Sequence, residues 1–154
     1  MGQIEAKLAE LDLALPEAAP PLAQYVPAKR VGNMVFTSGQ VAVQDGQFLH
    51  RGKMGSDLTV EQGRECARLS VLNALAAVKG LVGTLDCIAE VVQVRGFVNS
   101  APDFGEQPEV INAASELLVQ LFGDSGRHVR SAVGCGALPR NVPVELELVV
   151  RLAE

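Results

Sequence analysis

The stretch that decides the fold is residues 127–150, RHVRSAVGCGALPRNVPVELELVV, where apolar residues alternate with other residues almost without a break. A period of two is typical of a β-strand that buries one face. The residues from Pro139 to Asn141 are a turn signal that divides the stretch. We therefore expect two strands here, joined as a hairpin.

The alternation also predicts which side chains share a face of the sheet. The apolar sets of both strands are expected to face the core: Val129, Val133, Cys135, Ala137, Val142, Val144, Leu146, Leu148 and Val150. The opposite face would then carry charged and small residues: Arg130, Ala132, Gly134, Gly136, Glu145 and Glu147. In a hairpin, Glu145 would lie opposite Gly134, and Glu147 would lie one diagonal step from Arg130.

Two segments outside this stretch have the apolar periodicity of long helices, residues 59–82 and residues 107–124. Thr59 is a plausible N-cap of the first helix, and Gly83 is a plausible end. β-Branched or turn-punctuated runs at 25–49 and 88–99 predict further strands. The predicted order is ββαβαββ, an α+β fold in which two long helices cover one face of one sheet.

The N-terminal segment is expected to be separate from this arrangement. Residues 3–15, QIEAKLAELDLAL, have helical spacing, and the prolines that follow end the helix. We therefore divide the chain into an N-terminal helix with a Pro-rich lead-in (1–20) and a single domain (21–154).

The uncovered face of the sheet predicts self-association. A face lined by small residues such as Ala132 and Gly134, with isolated charges, needs cover, and copies of the same chain can supply it. We expect a closed homo-oligomer.

Composition excludes several classes of protein. With 154 residues, 48% of them hydrophobic, the chain is the size of one globular domain. A net charge of −5 disfavours nucleic-acid partners and anionic membranes. Cys66, Cys87 and Cys135 are widely spaced and odd in number, which indicates reduced thiols and a cytoplasmic location. No apolar run is long enough to span a bilayer, so a soluble protein is expected.

Neither histidine indicates a metal or a catalytic triad. His50 and His128 lack a second ligand at metal-binding spacing, so we expect no metal, and no cofactor motif is present. Ser131, His128 and Asp124 lie in one local segment, where a triad would lack an independent orienting group. Structural or solvated roles are favoured for both histidines.

Four segments together resemble a known family, the Rid or YjgF-like proteins: QYVPAKRVGNMVFTSGQ (24–40), GFVNSAPDF (96–104), VINAASELL (110–118) and RSAVGCGALPRNVPVELE (130–147). The last carries an Arg-Ser pair, a Leu-Pro turn and a strand of alternating glutamates. The resemblance covers nearly all of the chain after residue 20. The length and the lead-in helix are similar to a longer, endoribonuclease-like subgroup.

The resemblance implies a fold, an assembly and an activity. The fold would be of the chorismate mutase type, in a homotrimer whose sheets face a central barrel. A ligand site would lie in each cleft between subunits. The activity would be hydrolysis of reactive imines or enamines of 2-amino acids to 2-keto acids and ammonia.

Site residues follow from the same resemblance. Arg130 matches the arginine that holds the substrate carboxylate, for which a planar guanidinium is suited because it presents paired donors. Glu145 matches the glutamate that positions or activates water, with Glu147 as the alternative. Four further positions would line the cleft: Tyr25, Ser38, Gly39 and Asn112. Ala132 departs from the pattern, since RidA-type members often have a cysteine there.

Simpler interpretations remain open for these residues. Arg130 could pair with Glu145 or Glu147 as an interface ion pair. Tyr25 could pack against the lead-in, and Asn112 could be a buried amide bonded to the backbone. Ser38 and Gly39 could be no more than turn residues.

Three functions remain open for the chain. The first is the imine hydrolase, and the second is a non-catalytic trimer that binds a 2-keto acid or a related carboxylate. The third is a ribonuclease, which the net charge of −5 disfavours.

Overall fold

The computed structural model describes residues 1–18, 20 and 23–154. Its helices are α1 (Gln3–Glu10), α2 (Val60–Val82) and α3 (Gln107–Phe122). Its strands are β1 (Ala28–Val31), β2 (Met34–Thr37), β3 (Gln40–Val41), β4 (Val43–Gln44), β5 (Gln47–Phe48), β6 (Ile88–Asn99), β7 (Val129–Cys135) and β8 (Val144–Leu152).

One main sheet organises the fold, in the order β1-β2-β8-β6-β7, with β3 also pairing with β8. Helices α2 and α3 pack on one face of this sheet, so the predicted α+β architecture is confirmed. Strand β8 alternates strictly between buried and partly exposed residues. Its buried set is the predicted one, and Glu145 and Glu147 lie on the opposite face, which we call the open face.

Local sequence explains where α2 begins and ends. Thr59 and Gln62 form a capping box, in which each side chain bonds to the backbone of the other residue. Gly83 ends the helix with φ 89°, a conformation that favours glycine. Both predicted boundaries of this helix are confirmed.

The predicted hairpin between the last two strands is wrong. Strand β7 pairs in parallel with β6, and β8 pairs antiparallel with the other edge of β6. Glu145 therefore lies beside Phe97 and not beside Gly134. Alternation within a strand shows which residues share a face, but it does not show which strand is the neighbour. The 12-residue β6 offers a long ladder on each edge and separates the two.

The predicted facing of β7 is also wrong. Val129 and Val133 are 64% and 45% exposed, whereas Ala132 packs against the core and Arg130 bonds to α3. A period of two shows which residues of a strand share a face, but it does not show which of the two faces is buried. β7 is an edge strand, and its helix-covered face lies against the polar residues Asn112 and Ser115 of α3. Arg130 therefore lies on that face, and the apolar side chains of β7 lie on the open face.

Gly96 of β6 shows why α3 lies so close to this part of the sheet. A Cβ on Gly96 would lie 2.6 Å from the side chain of Ile111. Since real Cβ contacts are longer, the glycine permits close approach of α3. Register places Gly96 beside Ala132, so the approach occurs next to the Arg130 side chain.

Helix α1 packs onto the domain, where Ile4 and Leu8 are buried. The backbone N–H groups of Gln3 and Ile4 donate to the Asp86 carboxylate at 2.8 and 2.9 Å. These donors hold the pKa of Asp86 below its usual value. Residue 19 of the predicted Pro-rich lead-in and residues 21 and 22 at the start of the predicted domain lie outside the described residues. None of the described helices is long and apolar enough to cross a membrane.

The open face of the sheet exposes apolar side chains beside its charges. Phe36 of β2 is 45% exposed and lies in register with Val149 of β8. Val133 of β7, equally exposed, lies in register with Phe97 of β6, which in turn lies beside Glu145.

Candidate functional site

The guanidinium of Arg130 is held at the edge of the sheet by helix α3. Its Nη1 donates to Asn112 Oδ1 at 2.8 Å and to Ser115 Oγ at 3.2 Å. Asn112 and Ser115 are three residues apart on α3 and therefore share one helix face. In the part of the chain that the structure describes, no carboxylate lies within ion-pair distance of Arg130.

A second hydrogen bond ties His128 to the same serine. His128 Nε2 lies 2.8 Å from Ser115 Oγ, and Nδ1 lies 2.7 Å from the carbonyl oxygen of Gly126. Burial lowers the pKa of His128, the Gly126 carbonyl opposes this, and the Arg130 charge lowers it further. The net shift is downward, which favours a neutral ring. We call Asn112, Ser115, His128 and Arg130 the Arg130 cluster.

Glu145 lies on the open face in a second group. Register places it between Phe97 of β6 and Val41 of β3. Burial raises the pKa of its carboxyl group, and the charge of Glu147 raises it further. Glu147 itself lies 3.6 Å from the guanidinium of Arg95.

Gly39 is placed directly against Glu145. A side chain on Gly39 would collide with the Glu145 carboxylate, so the carboxylate occupies the space that only glycine leaves free. The preceding Ser38 donates its hydroxyl proton to the Val26 carbonyl at 2.6 Å and its N–H to the Pro27 carbonyl at 2.8 Å. We call Ser38, Gly39, Glu145 and Glu147 the Glu145 cluster.

Among the described residues, the Tyr25 hydroxyl makes no hydrogen bond to either cluster. Its side chain is 52% exposed, just before the Ser38-bonded carbonyls of Val26 and Pro27. Its proposed role as a cleft wall therefore stays a prediction.

The two clusters lie on opposite faces of the same sheet. Arg130 pairs with Val94, whereas Glu145 pairs with Phe97 of the same strand. One intervening strand and three residues along it separate their Cα atoms by about 14 Å. Within one protomer Arg130 does not pair with Glu145 or Glu147, because both glutamates lie on the opposite face of the sheet, where Glu147 lies beside Arg95.

A concave feature lies at the far end of β7. A cavity of about 350 Å³ is lined by Lys53, Ser100, Ala101, Pro102, Phe104, Gln107, Gly134, Cys135 and Gly136. Neither Arg130 nor Glu145 lines it. Within the described residues, no three His, Cys, Asp or Glu side chains are grouped so that they could hold a metal ion.

The structure adds Ser115 and His128 to the residues that the sequence indicated. The local grouping of His128 with Ser131 and Asp124 does not occur, since His128 bonds to Ser115 and Asp124 bonds to Arg127. The helical spacing of Asn112 and Ser115 could have suggested that both side chains lie on one face of α3. Finding the cluster also required the knowledge that Arg130 lies on the helix-covered face of β7.

Known proteins are similar to this chain over nearly its whole length. The sequence model of a family described as "YjgF/chorismate mutase-like, putative endoribonuclease" matches residues 5–154. Protein TCP17 of Trypanosoma cruzi is 38% identical over 152 residues, which cover 98% of this chain and 95% of that protein.

The chain is also similar to one solved structure and to one further relative by sequence. A crystal structure from Shewanella oneidensis, described as a "putative endoribonuclease", has a TM-score of 0.94 at 34% identity and covers 98% of this chain and 100% of that one. A protein of Dermatophagoides farinae named 2-iminobutanoate/2-iminopropanoate deaminase is 28% identical over 138 residues, 90% of this chain and 93% of that protein.

Proposed function

The chain belongs to the YjgF/chorismate mutase-like family, and from that premise we propose that it hydrolyses 2-imino or enamine acids to 2-keto acids and ammonia. The reaction takes place in clefts between the subunits of a homotrimer. A relative named as a 2-iminobutanoate/2-iminopropanoate deaminase supports the reaction class.

The observation that carries the proposal is the unneutralised guanidinium of Arg130. Its Nη1 is held by Asn112 and Ser115, and among the described residues Nε and Nη2 have no protein acceptor. A partly buried guanidinium without a carboxylate partner is a ready site for an anion, and its free edge matches the two oxygens of a carboxylate. Every 2-imino acid carries such a carboxylate.

Glu145 supplies the chemical step in this proposal. A carboxylate whose pKa is raised is a better base at neutral pH, and Glu145 has the required direction of shift. It takes a proton from water as the oxygen attacks the imine carbon. That proton passes to the imine nitrogen, which gives a carbinolamine. Glu145 then moves the proton of the carbinolamine hydroxyl to the same nitrogen, the carbon–nitrogen bond breaks, and ammonia leaves as the keto group forms.

Assembly is part of the proposal because the two clusters lie on opposite faces of one protomer. The exposed apolar side chains of the open face, including Phe36, Val129 and Val133, suit an interface between copies. In a ring of three, the sheet edge with Arg130 would meet the open face of the next copy. Each cleft would then combine one Arg130 cluster with one Glu145 cluster.

The remaining predicted residues have defined parts in such a cleft. Asn112 orients Arg130, and among the described residues its amide N–H groups have no protein acceptor, so they can donate to the ligand. Ser38 keeps its oxygen lone pairs and Gly39 gives Glu145 its space. Tyr25 would provide the aromatic wall.

A second candidate is a trimer that binds a 2-keto acid without catalysis. The separation of the two clusters supports this second candidate, because the guanidinium that would bind the anion is held by Asn112 and Ser115 without any contribution from Glu145. Binding requires Arg130, whereas turnover also requires Glu145. We do not propose ribonuclease activity, since a net charge of −5 opposes binding of a polyanion.

A direct assay tests the proposed function. 2-Aminoacrylate is generated in place by a serine dehydratase, and its disappearance is timed with and without this protein. We expect faster loss of the imine and matching release of pyruvate. An unchanged decay for 2-aminoacrylate and for its four-carbon homologue would refute the deaminase activity.

A further inference from the structure

A chain of hydrogen bonds lies behind the Arg130 guanidinium. It runs from the Gly126 carbonyl through His128 and Ser115 to Arg130 Nη1, with distances of 2.7, 2.8 and 3.2 Å. Three different segments contribute to it: the loop before β7, β7 itself and helix α3. Such a chain fixes these segments relative to one another.

The direction of every bond follows from the chemistry of the groups. The Gly126 carbonyl can only accept, so His128 carries a proton on Nδ1. In the neutral ring Nε2 is then an acceptor, and the proton in its bond comes from the Ser115 hydroxyl. That hydroxyl has used its proton, so its oxygen accepts from Arg130 Nη1.

We propose that Ser115 and His128 are positioning residues that set the plane of the Arg130 guanidinium for binding a carboxylate. This inference rests on the proposed function, because it requires Arg130 to bind the substrate. His128 acts through Ser115 and does not touch the ligand.

The need for such support comes from the position of Arg130. It extends from an edge strand, where one flank has no neighbouring strand in the protomer, and an arginine side chain has several rotatable bonds. Two acceptors on Nη1, Asn112 Oδ1 and Ser115 Oγ, define the plane of the guanidinium. Its opposite edge, Nε and Nη2, is then presented as two parallel donors.

Paired donors select a ligand whose acceptors are coplanar. The carboxylate of a 2-imino or 2-keto acid offers two oxygens in one plane, as the fork requires. Loss of either Ser115 or His128 leaves the charge of Arg130 intact but frees its orientation. We therefore expect weaker carboxylate binding and an unchanged fold.

A Ser–His pair also suggests a different function, in which Ser115 is a nucleophile and His128 is its base. The pair is within hydrogen-bonding distance, as such a reaction requires. However, His128 is oriented by a neutral carbonyl, and the Ser115 oxygen already accepts from Arg130. Positioning is the better explanation, and covalent labelling of Ser115 decides between the two.

The test measures binding of 2-oxobutanoate to the full-length protein by isothermal titration calorimetry. The variants are Ser115→Ala, His128→Leu, their double mutant, and His128→Gln, whose amide oxygen can replace Nε2 as acceptor. Arg130→Ala reports on the proposed function. His50→Leu is the matched control, since His50 bonds to Glu65 away from either cluster.

We expect Ser115→Ala and His128→Leu each to weaken binding about 3- to 10-fold, less than the loss of a hydrogen bond to a charged group, because Arg130 keeps its charge and its bond to Asn112. Because His128 acts through Ser115, the double mutant should bind no more weakly than Ser115→Ala alone. His128→Gln should restore most of the affinity, and His50→Leu should bind normally. Side-chain nitrogen NMR should show the proton of His128 on Nδ1.

Three results would overturn the inference. Normal binding by Ser115→Ala and His128→Leu, while Arg130→Ala has lost binding, would remove the positioning role and leave the proposed function standing. Labelling of Ser115 by a fluorophosphonate would make it a nucleophile instead. Normal binding by Arg130→Ala, or no binding by the unmodified protein, would remove the proposed function and this inference with it.

Discussion

The Arg130 cluster and the Glu145 cluster are both polar groups on the same sheet, but they are built in different ways. Arg130 lies on the helix-covered face and is fixed by side chains of α3. Glu145 lies on the open face, with strand neighbours and with Gly39 against its carboxylate. One group is fully supported within a protomer, and the other faces outward.

This difference suggests separate roles for the two clusters, with anion binding at Arg130 and activation of water at Glu145. In the proposed function, binding of an anion needs only the Arg130 cluster, which is already oriented in one chain. Activation of water needs a carboxylate with a raised pKa, and burial is the larger cause of the shift at Glu145. Cover by a second copy would bury Glu145 further, which raises its pKa, whereas the Arg130 guanidinium of that copy would lower it.

The largest effect is expected for Glu145→Gln, which removes the base but keeps the shape. Turnover of 2-aminoacrylate should fall about 100- to 10,000-fold, and 2-oxobutanoate binding should change little. Steady-state kinetics and calorimetry on the same preparation separate the two. Glu147→Gln is the matched control on the same strand and face. A large loss in that variant instead would assign the step to Glu147.

A smaller effect is expected for Arg130→Lys, which keeps the charge and removes the paired donors. Carboxylate binding should weaken by about 1.5 to 3 kcal/mol, the range for hydrogen bonds to charged groups. Calorimetry measures this, with Arg127→Lys as control because Arg127 is exposed and bonds to Asp124. Normal binding would deny the ligand role, and dissociation of the assembly would make Arg130 structural.

The smallest effect is a shift in the pH profile of Glu147→Gln. If Glu145 is the base, turnover requires its ionised form and falls as pH falls through the pKa of that group. The charge of Glu147 raises this pKa, and its removal should therefore lower it. We expect the acid limb of kcat/KM to move to lower pH by less than about one unit. An unmoved limb would mean that another group titrates there.

Much of the fold could be predicted because alternation and helical spacing are local properties. The buried set of β8 and the capping of α2 followed from them directly. The partner and the facing of β7 could not be predicted, since its neighbour is β6, more than 30 residues away, and its apolar set faces outward. The sequence pattern shows which residues share each face of β7, but it does not show which face is buried.

The candidate site was predicted in pieces. The resemblance named Arg130 with Asn112 and Glu145 with Gly39, and the structure brings each pair together. It did not indicate Ser115 or His128, because their contact joins a helix to the start of a strand. Tyr25 and the trimer stay predictions, since both depend on contacts between chains.

We propose that each site combines Arg130 of one protomer with Glu145 of another, and mixing of variant subunits tests this arrangement. Arg130→Ala and Glu145→Gln are each expected to be inactive alone. Co-expressed in equal amounts, they should regain about a quarter of the unmodified activity, because random closed rings place both intact residues in about one cleft of four. If the mixed assemblies stay as inactive as the separate variants, the two residues do not form a shared site.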